Sequence, residues 1–260
     1  MHVPLLRAIV QVRSAIRQAR SSTHPPRTMP AEHVDRFTQG GQIPVLDWYV
    51  HEGDPRPLRW TTRSLGWHPR LVARRQRLYY GETDRFVHEA LDTLDLRDRE
   101  TVIVGSETPW YECICMGRGA RVTTLEYRDI QCEIPGLRVA KPGALDGADA
   151  RFTLALSISS VEHAGLGRYG DPVDPDGDLA AMAEIARLLG PDGRLVFAVP
   201  IGADAVVWNA HRIYGRRRLP KLFEGWRVVR AFGFEESMFD APVGRWDQQP
   251  VWLLAPKHGD

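Results

Sequence analysis

Residues 153–200 read TLALSISSVEHAGLGRYGDPVDPDGDLAAMAEIARLLGPDGRLVFAVP, and this stretch decides the fold. It begins with the apolar run TLALSI, passes through a loop rich in glycine and aspartate, and reaches a helix that ends near Gly190. The run GRLVFAVP then has the composition of a second buried strand. A strand, a helix and another strand in this order predict two parallel strands joined by a crossover helix.

The same alternation extends towards both ends of the chain. Upstream, TDRFVHEALDTL and PWYECICMG are predicted helices, whereas TVIVG, RVTTLEY and GLRVA are predicted strands. Downstream, WRVVRAF and VWLLAP are two strands with no convincing helix between them. The predicted fold class is therefore α/β, with a doubly wound, mostly parallel sheet and an antiparallel edge strand.

The first 80 residues are predicted to form an extension of a domain that spans residues 81–260. Apolar residues at helical spacing near the N-terminus indicate an amphipathic helix, and they are Leu5, Ile9, Val12 and Ile16. This helix either docks on the domain or contacts a membrane surface. The segment that follows is rich in aromatic residues, which either pack in a core or stack on a sugar, and they are Trp48, Tyr49, Trp60, Trp67, Tyr79 and Tyr80.

The composition is that of an ordinary soluble protein. The chain has 34 basic and 33 acidic residues and a net charge of +1, which gives no electrostatic reason to expect nucleic acid as a partner. Three cysteines do not suggest a disulfide framework, so we expect a cytoplasmic location. No apolar run approaches the roughly 18 residues of a transmembrane segment. The composition leaves a homodimer as one option.

The turn GSETP, residues 105–109, joins the first predicted strand of the domain to a helix. Glu126 ends the next strand 21 residues after Gly105, near the spacing at which an acid binds ribose hydroxyls. The turn lacks the glycines of a dinucleotide site, and Glu107 would repel a pyrophosphate. This disfavours an NAD- or FAD-dependent oxidoreductase. A cationic ligand that carries a ribose, such as S-adenosylmethionine, suits the turn better.

The order VIVGSETPWYE, VTTLEY, LALSISSVEH and LLGPDGRLVFAVP resembles the class I S-adenosylmethionine-dependent methyltransferases, which have a Rossmann-like fold. The resemblance covers about residues 82–256. The strings GSETPWYE, SSVEHAGLGRYGDPVDPDGDL and NAHRIYGRRRLPKLFEGW are similar to a methyltransferase-like family long described as of unknown function. The chain also resembles, more faintly, the sugar O-methyltransferases that act on methylmannose polysaccharides. That likeness implies a role in polysaccharide biosynthesis.

The resemblance implies a set of residues that bind S-adenosylmethionine. Gly105, Ser106 and Glu107 would hold its methionine part, Glu126 its ribose, and Tyr127 would lie beside the adenine. The tip of the following strand would face the methionine and the reacting methyl, through Ser157, Ile158 and Ser159. The second and third glycines of the family's turn are replaced here by Glu107 and Pro109.

Transfer of a methyl group to a sugar hydroxyl requires a base. His163 is the first candidate because the ordinary pKa of histidine lies near working pH. A structural role in support of the cofactor is the alternative. His211 is the second candidate, and Glu162 is an orienting carboxylate in this interpretation. The predicted substrate-binding residues carry donors and acceptors suited to hydroxyl groups, and they are Tyr169, Asp176, Asp178, Asn209, Arg212 and Tyr214.

An acidic loop before the last predicted crossover helix raises the question of a metal. Its aspartates are Asp171, Asp174, Asp176 and Asp178. They do not follow the calcium-loop pattern, so they cap the helix and build the loop, or they bind hydroxyls or magnesium. Cys113 and Cys115 lack the partners of a zinc site.

The sequence thus predicts an S-adenosylmethionine-dependent O-methyltransferase that acts on a saccharide or another polyhydroxylated small molecule, including an oligosaccharide. Two alternatives stay open. One is a binding module of the same fold without catalytic activity. The other is an N- or C-methyltransferase of a small metabolite, because no residue fixes the acceptor atom.

Overall fold

The structure is a computed structural model that describes residues 25–50, 56–65, 75, 77, 79–145 and 152–257. The predicted amphipathic helix and its membrane contact concern residues 1–24, which lie outside the described residues, as does Trp67. Among the described residues, no helix combines the length and apolar character that crossing a membrane requires.

Strands and helices alternate along most of the described chain. The strands are β1 Val45–Trp48, β2 Leu58–Trp60, β3 Glu100–Val104, β4 Arg121–Leu125, β5 Ile130–Cys132, β6 Arg138–Ala140, β7 Phe152–Ile158, β8 Leu189–Ala198, β9 Ala205–Asn209, β10 His211–Ile213, β11 Trp226–Phe232 and β12 Val251–Pro256. The α-helices are α1 Ala31–Thr38, α2 Thr62–Leu65, α3 Glu82–Asp92, α4 Trp110–Gly117, α5 Gly177–Leu188 and α6 Leu219–Leu222. Short 3-10 helices cover Val161–His163 and Glu236–Asp240.

A seven-stranded sheet forms the centre of the protein, in the order β6–β4–β3–β7–β8–β12–β11. Strands β6, β4, β3, β7 and β8 are parallel to one another, and β12 is antiparallel to both β8 and β11. The predicted Rossmann-like α/β fold is confirmed, and the reversed strand lies one position in from the edge. From β3 the chain builds outward to β6 and then returns to β7, so strands β3 and β7 flank the topological switch point where ligands bind.

Helices cover both faces of this sheet, which explains the apolar composition of its strands. Leu154 and Leu156 of β7 belong to one core cluster with Ile114 of α4. Ala155, between them, belongs to a second cluster that includes Met182 of α5. Successive side chains of a strand point to opposite faces of the sheet. All three β7 residues are fully buried because both faces are covered.

The segment before residue 81 is hydrogen bonded to the rest of the chain. Strand β1 pairs in parallel with β9, which also pairs with β10, and β2 pairs in parallel with β5. The division of the chain at residue 80 stays a prediction. Of the aromatic residues of this segment, Trp60 is buried in the core, whereas Trp48 is 49% exposed, and stacking on a sugar stays a prediction.

Candidate functional site

A cavity of about 1640 Å³ lies beyond the carboxyl ends of β3, β4 and β7, at the switch point of the sheet. Most residues that the sequence singles out line this cavity. They are Gly105, Ser106, Glu107, Glu126, Tyr127, Ile158, Ser159, Glu162, His163, Tyr169, Asp171, Asp174, Asp176 and His211. The structure therefore brings together the predicted cofactor-binding turn and both candidate bases, which are far apart in the sequence.

The turn after β3 is held against the neighbouring strands. Gly105 has a φ of +74°, and a Cβ atom at this position would lie 2.1 Å from Oγ of Ser160. Only glycine therefore allows the turn to approach the segment after β7 so closely. Glu126, at the end of β4, accepts hydrogen bonds from the backbone N–H groups of Ser106 and Arg128, each 2.9 Å long. The carboxylate is thereby fixed at the wall of the cavity.

A second carboxyl group, which sequence reasoning missed, lies in the helix behind this turn. Glu112 of α4 is fully buried, and its Oε1 accepts a 2.9 Å hydrogen bond from the hydroxyl of Thr124. Its Oε2 has no partner among the described residues. Burial raises the pKa of Glu112 to about 7, and the charge of nearby Glu126 adds to the increase. An acid within the apolar helix WYECICMG was the available signal.

His163 lies in the 3-10 helix after β7, with 15% of its side chain exposed. Its Nδ1 is 2.6 Å from the carbonyl oxygen of Ala210. Because a carbonyl only accepts, Nδ1 carries a proton and donates it. Burial lowers the pKa of His163 to about 3, so the ring is neutral and its lone pair is at Nε2. Nε2 makes no hydrogen bond within the described residues and lies 3.8 Å from Oε1 of Glu162.

Glu162 is fully buried behind His163. Its Oε1 accepts a 2.7 Å hydrogen bond from the hydroxyl of Ser159, and its Oε2 has no partner among the described residues. Ser159 has a φ of +52° and accepts a 3.4 Å hydrogen bond from Nε2 of Gln249. Burial raises the pKa of Glu162 to about 7. The carboxyl group can thus gain or lose a proton near neutral pH.

His211 occupies the same wall of the cavity. Its ring centroid is 6.3 Å from that of His163, and it contacts Trp48 and Trp246 at 5.8 Å and 5.5 Å between centroids. Burial lowers the pKa of His211 to about 4, and the positive charge of Arg168 adds to the decrease. His211 is therefore neutral, like His163.

Three predicted substrate-binding residues do not face the cavity, which corrects that prediction. Asp178, Arg212 and Tyr214 are buried together in a network with Arg218. Asp178 lies 2.5 Å from the Arg218 guanidinium, accepts a 3.0 Å hydrogen bond from the Tyr214 hydroxyl and lies 3.7 Å from Arg212. Burial acts to raise the pKa of Asp178, but the two guanidinium groups outweigh it and the pKa is lowered. These residues fix the start of α5.

Arg212 also shapes the loop that borders the cavity. Its guanidinium donates to the carbonyl oxygens of Ala164 at 2.5 Å and of Asp174 at 3.3 Å. The two ends of this loop meet at Gly165 and Gly177, where a Cβ on Gly177 would lie 2.6 Å from the Cα of Gly165. Arg212 thus acts on the shape of the cavity from behind its wall.

Two other predicted site residues lie outside the cavity lining. Asn209 is fully buried, and its Oδ1 accepts a 2.8 Å hydrogen bond from the N–H of Val50. It connects the N-terminal segment to β9 and does not reach a substrate. Ser157 is also fully buried within β7, so the predicted contact with the cofactor falls to Ile158 and Ser159 alone.

The aspartates of the acidic loop have separate partners, which does not support the magnesium alternative. Asp171 accepts hydrogen bonds from the N–H groups of Gly165, Gly167 and Tyr169. Asp174 accepts a hydrogen bond from the N–H of Asp176, and Asp176 pairs with the side chains of Arg36 and Arg218. Asp178 belongs to the buried network described above. Nowhere in the described part of the chain do three or more histidine, cysteine or acidic residues form a group that could hold a metal. Magnesium is therefore not supported.

Several solved methyltransferases have a similar fold. The 1,6-didemethyltoxoflavin-N1-methyltransferase of Burkholderia thailandensis, solved with 1,6-didemethyltoxoflavin and S-adenosylhomocysteine, is 20% identical over 67% of this chain and 76% of its own, with a TM-score of 0.47. An S-adenosylmethionine-dependent methyltransferase from Clostridium acetobutylicum is 9% identical over 76% of this chain and 99% of its own, with a TM-score of 0.47. Another from Mesorhizobium loti is 13% identical over 65% and 97%, with a TM-score of 0.42.

No curated protein has a significant match to the sequence. One family, described as "Caenorhabditis protein of unknown function, DUF268", matches residues 98–243, which is more than half of the chain. The matched region begins just before β3, includes the predicted cofactor-binding turn and both histidines of the cavity, and ends after β11. The chain belongs to the DUF268 family.

Proposed function

We propose that this protein transfers a methyl group from S-adenosylmethionine to a hydroxyl group of a saccharide or another polyhydroxylated small molecule. One observation carries the proposal. The carboxylate of Glu126 is fixed at the end of β4 by the N–H of Ser106, beside the topological switch point. An acid at this place in a doubly wound sheet is positioned to bind ribose hydroxyls.

The residues at this end of the cavity suit the cofactor. Each carboxylate oxygen of Glu126 accepts one backbone hydrogen bond and retains a lone pair for a ribose hydroxyl. Gly105 and Tyr127 line the cavity, and Tyr127 offers a ring for the adenine. Glu107 lines the same end, and Glu112 lies behind it. Although Glu107 pairs with Arg128, the fixed carboxylate of Glu126 beside it favours the sulfonium and ammonium groups of S-adenosylmethionine over a pyrophosphate.

When bound, S-adenosylmethionine supplies an electrophilic methyl group. The acceptor hydroxyl must lose its proton as it attacks, and His163 is the residue with an accessible lone pair. Its protonated Nδ1 is held by Ala210, so Nε2 is the atom that takes the proton. A base placed in this way contributes roughly 10²- to 10⁴-fold to a rate.

His163 alone is a weak base, because burial lowers its pKa to about 3. Glu162 compensates, since its pKa of about 7 makes its carboxylate the better resting place for the proton. The 3.8 Å between Nε2 and Oε1 allows the proton to pass from the imidazole to the carboxylate after a small adjustment. In this proposal His163 contacts the substrate, and Glu162 stores the proton.

Isothermal titration with S-adenosylhomocysteine tests the cofactor site without an acceptor. We expect the native protein to bind and Glu126→Gln to bind roughly 10- to 100-fold more weakly, because charge-assisted hydrogen bonds to the ribose are lost. Glu133→Gln is the matched control, since Glu133 is exposed and pairs with Arg59. A native protein that binds neither S-adenosylhomocysteine nor S-adenosylmethionine would overturn the proposal.

Transfer of a labelled methyl group identifies the acceptor atom. A panel of saccharides, polyols, amines and other metabolites is incubated with labelled S-adenosylmethionine, and products are separated by chromatography. The proposal expects label on a hydroxyl oxygen. Label on nitrogen or carbon alone would retain the cofactor site and replace the hydroxyl acceptor.

A further inference from the structure

A group of aromatic side chains lines the cavity. Trp48 of β1 and Trp246, in the segment before β12, are 6.0 Å apart between ring centroids, and both contact His211. They come from opposite ends of the sequence and line the same cavity. We call Trp48, Trp246 and His211 the aromatic platform.

The platform exposes a large apolar surface. Trp48 is 49% exposed and Trp246 is 45% exposed, which is unusual for two adjacent indole rings. A contiguous apolar surface of this kind marks a place where a ligand binds. Because both rings line a cavity, we expect the ligand to be a small molecule that enters it.

Hydrogen bonds hold the two sides of the platform in place. Strand β1 pairs with β9, where Trp48 lies opposite Asn209. On the other side, the carbonyl of Gln248 accepts a 2.8 Å hydrogen bond from the N–H of Ile201. The carbonyl of Gln249 accepts a 2.6 Å hydrogen bond from the Thr83 hydroxyl. The backbone beside both indoles is thus anchored before a ligand arrives.

The polar atoms around the platform indicate what the ligand carries. Three cavity-lining residues each have a buried side-chain atom without a hydrogen-bond partner in the described part of the chain, and these atoms are Glu162 Oε2, His211 Nε2 and Gln249 Oε1. The carboxylate and amide oxygens accept hydrogen bonds, and the imidazole nitrogen accepts or donates one according to its tautomer. A ligand that supplies several O–H donors would satisfy them.

Charge and polarity distinguish the classes of ligand that could stack on the two indole rings. Arg168 also lines the cavity, and its positive charge, which lowers the pKa of His211, disfavours a cationic ligand that would otherwise stack on the indoles. A flat hydrocarbon or aromatic ring would cover the indoles but would bring no donors to the acceptors. A sugar ring does both, since its C–H groups face the negative side of an aromatic ring and its hydroxyls point outward.

We propose that Trp48 and Trp246 form a saccharide-ring subsite, which holds the ring beside His163 and selects the acceptor. This subsite rests on the proposed function, because that function assigns the cofactor to the same cavity. Binding of a sugar to the subsite itself requires no methyl transfer. His163 is 6.3 Å from His211 between centroids, so a ring on the platform places its hydroxyls near the proposed base.

Binding titrations of the full chain test the subsite, with tryptophan fluorescence and calorimetry as readouts. The probes are methyl glycosides of glucose, mannose and galactose, short oligomers of the same sugars, and inositol, each with and without S-adenosylhomocysteine. We expect at least one glycoside or oligomer to bind. Trp48→Ala and Trp246→Ala should each weaken this binding about tenfold or more, whereas Trp48→Phe keeps most of it.

Affinity for S-adenosylhomocysteine stays unchanged in these variants if the subsite is separate from the cofactor end. Val228→Ala is the control, because Val228 is a similarly exposed apolar residue on β11. A protein that binds S-adenosylhomocysteine but none of the sugars overturns the subsite and leaves the proposed function standing. Unchanged sugar affinity in both alanine variants, or preference for a trimethylammonium compound, also overturns it. If the native protein does not bind S-adenosylhomocysteine at all, the proposed function fails, and this outcome is distinct from failure of the subsite.

Discussion

Nε2 of His163 lies 3.8 Å from Oε1 of Glu162, and the two residues are consecutive in the 3-10 helix that follows β7. Burial affects them in opposite ways, since it lowers the pKa of the histidine to about 3 and raises that of the glutamate to about 7. The histidine is therefore neutral near pH 7, whereas the glutamate is about half ionised there and is the group that titrates. This relationship sets the pH dependence expected of the site.

The rate of methyl transfer should rise with pH and level off above about pH 7. Glu162 can store the acceptor's proton only when it is ionised, and its pKa is about 7. Glu162→Gln should lower kcat by roughly 10²-fold or more and remove this rise. Single-turnover rates at saturating cofactor between pH 5.5 and 9 provide the measurement. Glu89→Gln, at a surface ion pair with Arg85, should keep the native profile. A native-like profile in Glu162→Gln would exclude the proton-storage role.

Replacement of Gly105 should damage both stability and cofactor binding. Gly105→Ala places a Cβ 2.1 Å from Oγ of Ser160 at a φ of +74°. Gly225→Ala is a matched control, because Gly225 has a φ of +81° and nothing lies within 4 Å of its added Cβ. Backbone strain alone costs roughly 1–2 kcal/mol, so we expect about that loss at Gly225 and a larger one at Gly105. Urea unfolding measures both losses.

The affinity of each glycine variant for S-adenosylhomocysteine completes this test. It should fall only in Gly105→Ala, because Gly225 lies outside the cavity lining. Equal destabilisation of the two variants, with full cofactor affinity in both, would contradict the close approach of the turn to Ser160.

The sequence predicts the fold well because the fold depends on local patterns. The β7 run FTLALSI is largely apolar, and in the structure all its residues except Thr153 are buried, with helices on both faces of the sheet. The spacing between Gly105 and Glu126 likewise depends only on one strand–helix–strand unit. These features require no knowledge of distant partners.

The candidate site is harder to predict because its side chains depend on long-range contacts. Asp178 and Arg212 are residue types suited to substrate binding, but Asp178 is paired inside the protein with Arg218, which lies 40 residues away in the sequence. The proton position on His163 depends on the carbonyl of Ala210, 47 residues away. Trp246 carries no local signal of its place beside Trp48. Each arrangement arises only when the chain has folded.

Glu112 should make the protein less stable as the pH rises. Its pKa increases from 4.5 in the unfolded chain to about 7 in the folded protein. Its contribution to stability is therefore complete below about pH 4.5 and is lost as the pH rises through 7, by up to roughly 3 kcal/mol. Glu112→Gln removes this loss, so the variant should gain stability relative to the native protein between pH 4.5 and pH 8.

Urea unfolding free energies at pH 4.5, 6 and 8 measure this gain. The comparison across pH cancels any constant effect of the lost hydrogen bond from Thr124. Glu89→Gln serves as the surface control. A difference between native protein and Glu112→Gln that is the same at all three pH values would show that Glu112 ionises normally.

Asp178 should contribute more to stability than Asp176, although both are ion-paired with Arg218. Asp178 is fully buried between two guanidinium groups, and Asp178→Asn would leave Arg212 without its counter-charge and Arg218 with only the half-exposed Asp176, at a cost of about 3–5 kcal/mol. Asp176 has a side chain that is 45% exposed, so Asp176→Asn should cost less than about 1 kcal/mol. Urea unfolding at pH 7 distinguishes the two.

Acid provides a second readout of the same network. The pKa of Asp178 is lowered in the folded protein, so its contribution is present above its ordinary pKa of 3.8 and is lost as the pH falls through the lower folded value. The gap between native protein and Asp178→Asn should therefore be constant above about pH 5 and shrink towards pH 3. Because Arg212 also holds the loop carbonyls of Ala164 and Asp174, Asp178→Asn should in addition weaken ligand binding without touching the ligand. A destabilised variant with native affinity for both cofactor and sugar would show that the network stabilises the fold but does not shape the cavity.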